Sequence, residues 1–130
     1  MIVALNAAID AVEGQLTADP SMRVDVGTLA RGSGTTEYHL RRMFSALAGM
    51  PLSDYVRGRR MSLAAADLVT GSDDLLDIAV RYGYGSTEAF GRAFRAVHGA
   101  GPSDVRRDGG PLRTQPRITF HLDVRGASPM

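Results

Sequence analysis

The chain has 130 residues, 44% apolar and 22% charged, with three histidines and neither cysteine nor tryptophan. Lack of cysteine excludes a disulfide, a thiolate nucleophile and a zinc–thiolate site, and there is no apolar run of the roughly 20 residues that a membrane span needs. The net charge of +1 is distributed in blocks: residues 1–34 sum to −2, 35–63 to +3, 64–90 to −4 and 91–107 to +3. Local blocks, not the total, make an electrostatic footprint, and every basic residue here is Arg.

The N-terminal stretch MIVALNAAIDAVEGQL lacks the basic opening of a secretory leader and carries Asp10 and Glu13, so it reads as a helix of a cytoplasmic protein. Ile2, Leu5, Ile9, Val12 and Leu16 recur at helical spacing, which predicts an amphipathic helix over residues 2–17. Asp19-Pro20-Ser21 ends it. Asp25 is an N-cap for the next helix, with Val24 and Leu29 forming a hydrophobic staple across it. Gly32-Ser33-Gly34 turns the chain, and Thr35 or Thr36 caps a second short helix with Glu37 in its first turn. Pro51 suits the start of a long helix from Leu52 to about Val69, whose apolar side is Tyr55, Val56, Leu63, Ala66 and Leu68, with Arg57, Arg59 and Arg60 beside it. Gly71-Ser72-Asp73-Asp74 is a turn; a helix follows over Leu75–Tyr82, then the turn Gly83-Tyr84-Gly85, a helix capped by Ser86, and a short last helix from Pro102 to Arg107. After the linker Asp108-Gly109-Gly110-Pro111, Ile118, Phe120, Leu122 and Val124 alternate with polar residues, the period of a half-buried strand.

Two stretches repeat each other. LARGSGTTEYHLRRMF begins at Leu29 and IAVRYGYGSTEAFGRAF at Ile78. Gly34 and Gly83 lie 49 positions apart, whereas Leu40 and Phe90, Arg42 and Arg92, and Phe44 and Phe94 lie 50 apart, which puts one extra residue in the second turn. Each copy reads as helix, tight turn, capped helix: the helix-turn-helix arrangement, whose second helix is shaped for a DNA major groove. In the first copy Leu40, Met43, Phe44 and Leu47 form an apolar stripe, and Tyr38, Arg41, Arg42 and Ser45 lie opposite. In the second, Phe90, Ala93, Phe94 and Val97 are apolar, while Glu88, Gly91, Arg92 and Arg95 face outward. An arginine fork matches the O6 and N7 of guanine or clamps a phosphate.

The residues Asp77-Ile78-Ala79, Tyr82-Gly83-Tyr84, Ser86, Phe90, Arg92, Phe94-Arg95, Gly99, Pro102 and Arg106, with Leu29-Ala30, Ser33-Gly34, His39-Leu40, Arg42-Met43-Phe44, Tyr55, Arg57 and Arg59, resemble the AraC/XylS family of bacterial transcription regulators over residues 1 to about 107. The resemblance implies a sequence-specific duplex-DNA-binding transcription regulator that inserts two recognition helices into successive major grooves. Carried over by position, its groove-facing contacts fall on Thr36, Tyr38, Arg41 and Arg42, and on Thr87, Glu88, Gly91 and Arg92; Ser45, Arg57 and Arg95 complete the candidate DNA-contacting set. Three positions depart from the family pattern: Gly85 replaces a common acid, Gly101 a capping Ser or Thr, and Gly91 a groove-facing side chain. The tail PLRTQPRITFHLDVRG resembles the opening strand of a GyrI-like effector-binding domain, which implies a small-molecule effector acting only through a C-terminal domain absent from this sequence.

The expected architecture is therefore all-α: about seven helices forming two helix-turn-helix subdomains (1–50 and 71–107) joined by a long helix (51–70), plus a short strand-like tail in residues 108–130. The expected partners are operator or promoter DNA and, for an activator, RNA polymerase, with no membrane and no cofactor. No enzymatic role is expected. The same helical module accompanies a DNA-repair alkyltransferase, but that chemistry needs a cysteine acceptor. His39, His98 and His121 share no metal-ligand spacing, and His39 is expected to pack beside its helix. The competing reading is a helical protein-interaction module without DNA binding, which would lack the steep salt dependence of phosphate contacts.

Overall fold

A computed structural model describes residues 2–110 and 112–121. Among them the fold is all-α, with seven helices and no strand: α1 (Ile2–Ala18), α2 (Val26–Gly32), α3 (Glu37–Ala48), α4 (Leu52–Thr70), α5 (Leu75–Arg81), α6 (Thr87–His98) and α7 (Pro102–Asp108). None of the helices among the described residues is long and apolar enough to cross a membrane.

The repeat is reproduced in three dimensions. α2 and α5 have 7 residues each, and α3 and α6 have 12 each. The turns between them are Ser33–Thr36 and Tyr82–Ser86, so the extra residue lies in the second turn. The two turns close through equivalent bonds, Thr35 N–H to the Ala30 carbonyl and Tyr84 N–H to the Ala79 carbonyl, both at 2.9 Å. Gly34 and Gly83 take φ of +79° and +89°, a left-handed conformation that favours glycine. Thr36, rather than Thr35, caps α3 by accepting the His39 N–H at 3.2 Å, and Ser86 caps α6 by accepting the Ala89 N–H at 3.1 Å. Asp25 caps α2 through the Thr28 N–H. The Thr28 hydroxyl and N–H hold its carboxyl below the usual carboxylate range. Pro51 stands just before α4 as its N-cap, outside the first turn.

α4 supplies both cores. Leu52, Tyr55 and Val56 join Leu5, Ile9, Val12, Leu16, Leu29, Leu40 and Phe44 in the first. Met61, Ala64, Ala65 and Leu68 join Ile78, Ala79, Tyr82, Phe90, Phe94 and Val105 in the second, and Leu63 packs against both. Ala66 is exposed, so the buried face of the second half of α4 runs through Met61, Ala64 and Ala65 instead. Leu47 is also outside the core, at 50% exposure. Tyr55 and Phe120 pack against Phe44, with rings 5.3 and 6.0 Å from its own, and Ala48 packs against the same core. The buried stripe follows Leu40 and Phe44, with Ala48 partly buried beyond them, as it follows Phe90, Phe94 and His98 in α6.

α4 also bonds to both halves through its polar side chains, and the halves meet directly where Gly83 approaches Ser21. Arg60 donates to the carbonyls of Pro20 at 3.0 Å and Met22 at 2.9 Å, and a Cβ on Gly83 would lie 3.0 Å from the Ser21 carbonyl oxygen. Arg59 donates to Glu13 through Nε at 3.0 Å and through Nη2, with side-chain exposures of 13% and 15%. Asp67 accepts from Arg81 at 3.2 Å and from the Tyr82 hydroxyl at 2.6 Å, and burial together with that carboxylate pushes the Tyr82 phenol upward.

Residues 112–121 form no strand. Leu122 and Val124, half of the alternating apolar set, lie outside the described residues. Side chains take the place of a partner strand. Ser62 Oγ accepts the Gln115 N–H at 2.7 Å and Arg59 Nη1 donates to the Gln115 carbonyl at 2.8 Å. Tyr55 Oη accepts the Ile118 N–H at 3.1 Å, and the Asn6 amide bonds both the N–H and the carbonyl of Phe120, at 2.9 and 2.8 Å. Arg117 pairs with Asp10. The segment crosses α4 at buried Gly58, where a Cβ would come within 2.8 Å of the Gln115 Cβ. Leu112 packs on the second core, and Ile118 and Phe120 on the first. Replacing Ile118 and Phe120 together with alanine should cost about 2–3 kcal/mol, the scale of burying two large apolar side chains part-way. A thermal melt matching that of the parent chain would show that the segment rests on the surface without stabilising it.

Candidate nucleic-acid interface

α3 and α6 turn equivalent faces outward because each buries the opposite stripe. On α3, Tyr38 is 70% exposed and its hydroxyl accepts from Arg42 Nη1 at 3.2 Å, so the ring and guanidinium form one outward unit. Arg41 is paired with Glu37 one turn earlier at 3.1 Å. Such exposed i,i+4 pairs contribute about 0.3–0.5 kcal/mol and exchange readily for a phosphate. Thr36 stands at the N-terminus with its hydroxyl engaged in the cap. Ser45 is exposed one turn beyond Arg41. His39, expected to pack beside the helix, is exposed, because the buried side of α3 runs through Leu40 and Phe44 instead.

On α6 Glu88 and Arg92 are exposed, and Thr87 is half-buried in the first turn. Gly91 leaves an opening of about 390 Å³ bordered by Thr87, Glu88, Arg92, Arg95 and Pro102. Nothing lies within 4 Å of a Cβ placed there except Pro102 Cδ at 4.0 Å. Gly101 caps α7 without a side-chain bond, and the space a larger residue would take holds the Arg95 guanidinium, whose Nη2 lies 2.8 Å from the position of a Cβ. Arg95 therefore leans toward the start of α7, while Arg92 is free to project. Arg57, at the start of α4, is exposed and pairs with Asp54 at 3.3 Å. Its neighbours Arg59 and Arg60 are committed to Glu13 and to the carbonyls of Pro20 and Met22.

Two features had no signal in the sequence. Arg23 and Tyr84, far apart in the chain, line one cleft with Arg41, Arg57 and Arg60. His98 is 3% exposed, with Nε2 2.9 Å from the Met61 carbonyl and its ring 4.4 Å from Phe94, so it is a core residue. Among the described residues no group of three His, Cys, Asp or Glu side chains could hold a metal ion.

The Helix-turn-helix domain family matches residues 29–108. The chain is 39% identical over 95 residues to the HTH-type transcriptional activator AarP of Providencia stuartii, covering 73% of this chain and 67% of that protein. It is 40% identical over 88 residues to Regulatory protein SoxS of Escherichia coli (strain K12), covering 68% of this chain and 80% of that one. A solved transcriptional regulator with an AraC-type DNA-binding domain, from Chromobacterium violaceum, has the same fold, with a TM-score of 0.68, 21% identity, and coverage of 84% of this chain and 94% of that one. The paired turns, the outward arginines and these likenesses lead to one conclusion: the chain belongs to the AraC/XylS family of helix-turn-helix transcription regulators.

Proposed function

We propose that the chain binds duplex DNA sequence-specifically as a transcription regulator, placing α3 and α6 in successive major grooves. The observation that carries this reading is the pairing of Arg42 with Arg92, exposed at equivalent places on two helices whose preceding turns close through equivalent bonds. α4, with 19 residues, is about 28 Å long at 1.5 Å per residue. A rod of that size suits reading helices that enter grooves about 34 Å apart. The first subdomain is residues 1–50, the joining helix 51–70 and the second subdomain 71–107.

Arg42 and Arg92 read guanine edges, Tyr38 lies against bases or sugar beside Arg42, and Glu88 can accept from a cytosine amine. Thr36, Arg41 and Thr87 join them as groove-facing contacts, and Ser45, Arg57 and Arg95 hold phosphates and fix register. Gly91 offers no side chain to the groove, so α6 discriminates bases less sharply than α3. Activator is the word in AarP's name, and on that footing RNA polymerase is the expected partner. An effector ligand would act through a domain beyond residue 107, and the site of action is the cytoplasm.

Replacing Arg42 or Arg92 with alanine should each cost about 1–3 kcal/mol of affinity for a selected duplex. Melting temperatures should stay within a degree or two of the parent, since both side chains lie opposite the core. Unchanged affinity in both variants, with the fold intact, would remove these residues from the reading set.

A further inference from the structure

A cleft of about 270 Å³ opens between the two halves of the molecule, lined by Val24, Val26 and Val56 and walled by arginines. Arg41 comes from the first reading helix, Arg57 and Arg60 from α4, Arg23 from the loop before α2, and Tyr84 from the turn that leads into α6. The charge there is not balanced. Arg41 and Arg57 are paired with Glu37 and Asp54, but Arg60 donates only to backbone carbonyls, and Arg23 has no side-chain hydrogen bond or ion pair among the described residues. Four guanidiniums facing two carboxylates leave two uncompensated positive charges around one small concavity. Arg60 is held in place by the Pro20 and Met22 carbonyls, so part of the charge is fixed before any ligand arrives.

A monoanionic phosphodiester suits this arrangement: planar guanidiniums offer paired donors to phosphate oxygens, and the Tyr84 hydroxyl can add another. We propose that the cleft is a phosphate site, occupied on DNA by the backbone phosphate that lies between the two reading helices. This rests on the reading of α3 and α6 in successive grooves, which forces the intervening backbone to pass over the junction of the two halves. The contact is to phosphate alone, so it adds affinity and fixes the separation of the two helices without adding base preference.

The test compares the parent chain with Arg23→Gln on a selected duplex. A second duplex carries uncharged methylphosphonates at the phosphates midway between the two protected grooves. For the parent, the methylphosphonate duplex should bind several-fold more weakly. For Arg23→Gln, that penalty should largely vanish, and the slope of log affinity against log salt should become shallower by about 0.9, the value of one lost phosphate contact. The base preference recovered by selection should stay the same, and the melting temperature should match the parent because Arg23 is exposed. A slope and a methylphosphonate penalty equal to the parent's would overturn the proposal. A parent chain that binds no duplex would instead overturn the functional reading, and the cleft would then be judged with inorganic phosphate. Saturable shifts of the Arg23 and Arg57 side-chain N–H resonances would identify it as a free-phosphate site, and their absence would remove it.

Discussion

Truncation of Phe94 or Phe44 to alanine is expected to destabilise the chain by about 3–5 kcal/mol each, the range for a fully buried aromatic replaced by a methyl group. Phe94 is fully buried, with ring centroids 5.7 Å from Phe90 and 4.4 Å from His98. Phe44, 1% exposed, meets Tyr55 at 5.3 Å and Phe120 at 6.0 Å. Neither cavity can collapse easily, because helices on both sides are tied to α4. Native stabilities of small domains are about 5–15 kcal/mol, so either change removes a large share and should lower the melting temperature by about 10 °C or more. The two substitutions sit in different cores joined through α4, so comparison of the two melts also reports how far the halves unfold together. Parent-like melts for both would mean that the buried faces of α3 and α6 have been assigned wrongly.

The second large effect concerns the phase between the two reading helices. One alanine inserted into α4 after Gly58 rotates the second half of the molecule by about 100° relative to the first and advances it by about 1.5 Å. That point lies between Val56, the last α4 residue of the first core, and Met61, the first of the second. The insertion also displaces Arg60 from the carbonyls of Pro20 and Met22 and separates Gly83 from Ser21. Most of each core stays on its own side of the insertion, with Leu63 and residues 112–121 spanning both, so helical content should fall only modestly. Affinity for the selected duplex should drop by about a hundredfold or more, the value of losing at least one or two base contacts at 1–3 kcal/mol each. A variant with parent-like helical content and parent-like affinity would show that the halves are not rigidly phased on DNA.

The doubled motif was legible in the sequence because its signals are local. Capping hydroxyls, left-handed glycines and a helical apolar stripe all act within a few residues, and the 49-then-50 spacing located the longer turn. The roll of α4 was not legible. Ala64, Ala65 and Ala66 offer no polar marker to tell the buried face from the exposed one, and packing alone turned Ala66 outward. The three arginines of α4 look alike in sequence, yet only Arg57 is left at the surface. The partners of Arg59 and Arg60, Glu13 and the Pro20 and Met22 carbonyls, come from about 40 or more residues away and leave no local trace. The same holds for the alternating tail, whose backbone is satisfied by Asn6, Tyr55, Arg59 and Ser62 rather than by a strand. The cleft of Arg23 and Tyr84 exists only once the two halves are side by side.

Methylation-protection footprinting of the chain on a duplex recovered by in vitro selection tests the central claim most directly, because it reports major-groove occupancy base by base. Two protected major-groove stretches on one face of the duplex, centred about one helical turn apart, are the predicted result. A single protected stretch, or a selection that recovers no preferred sequence, would contradict it.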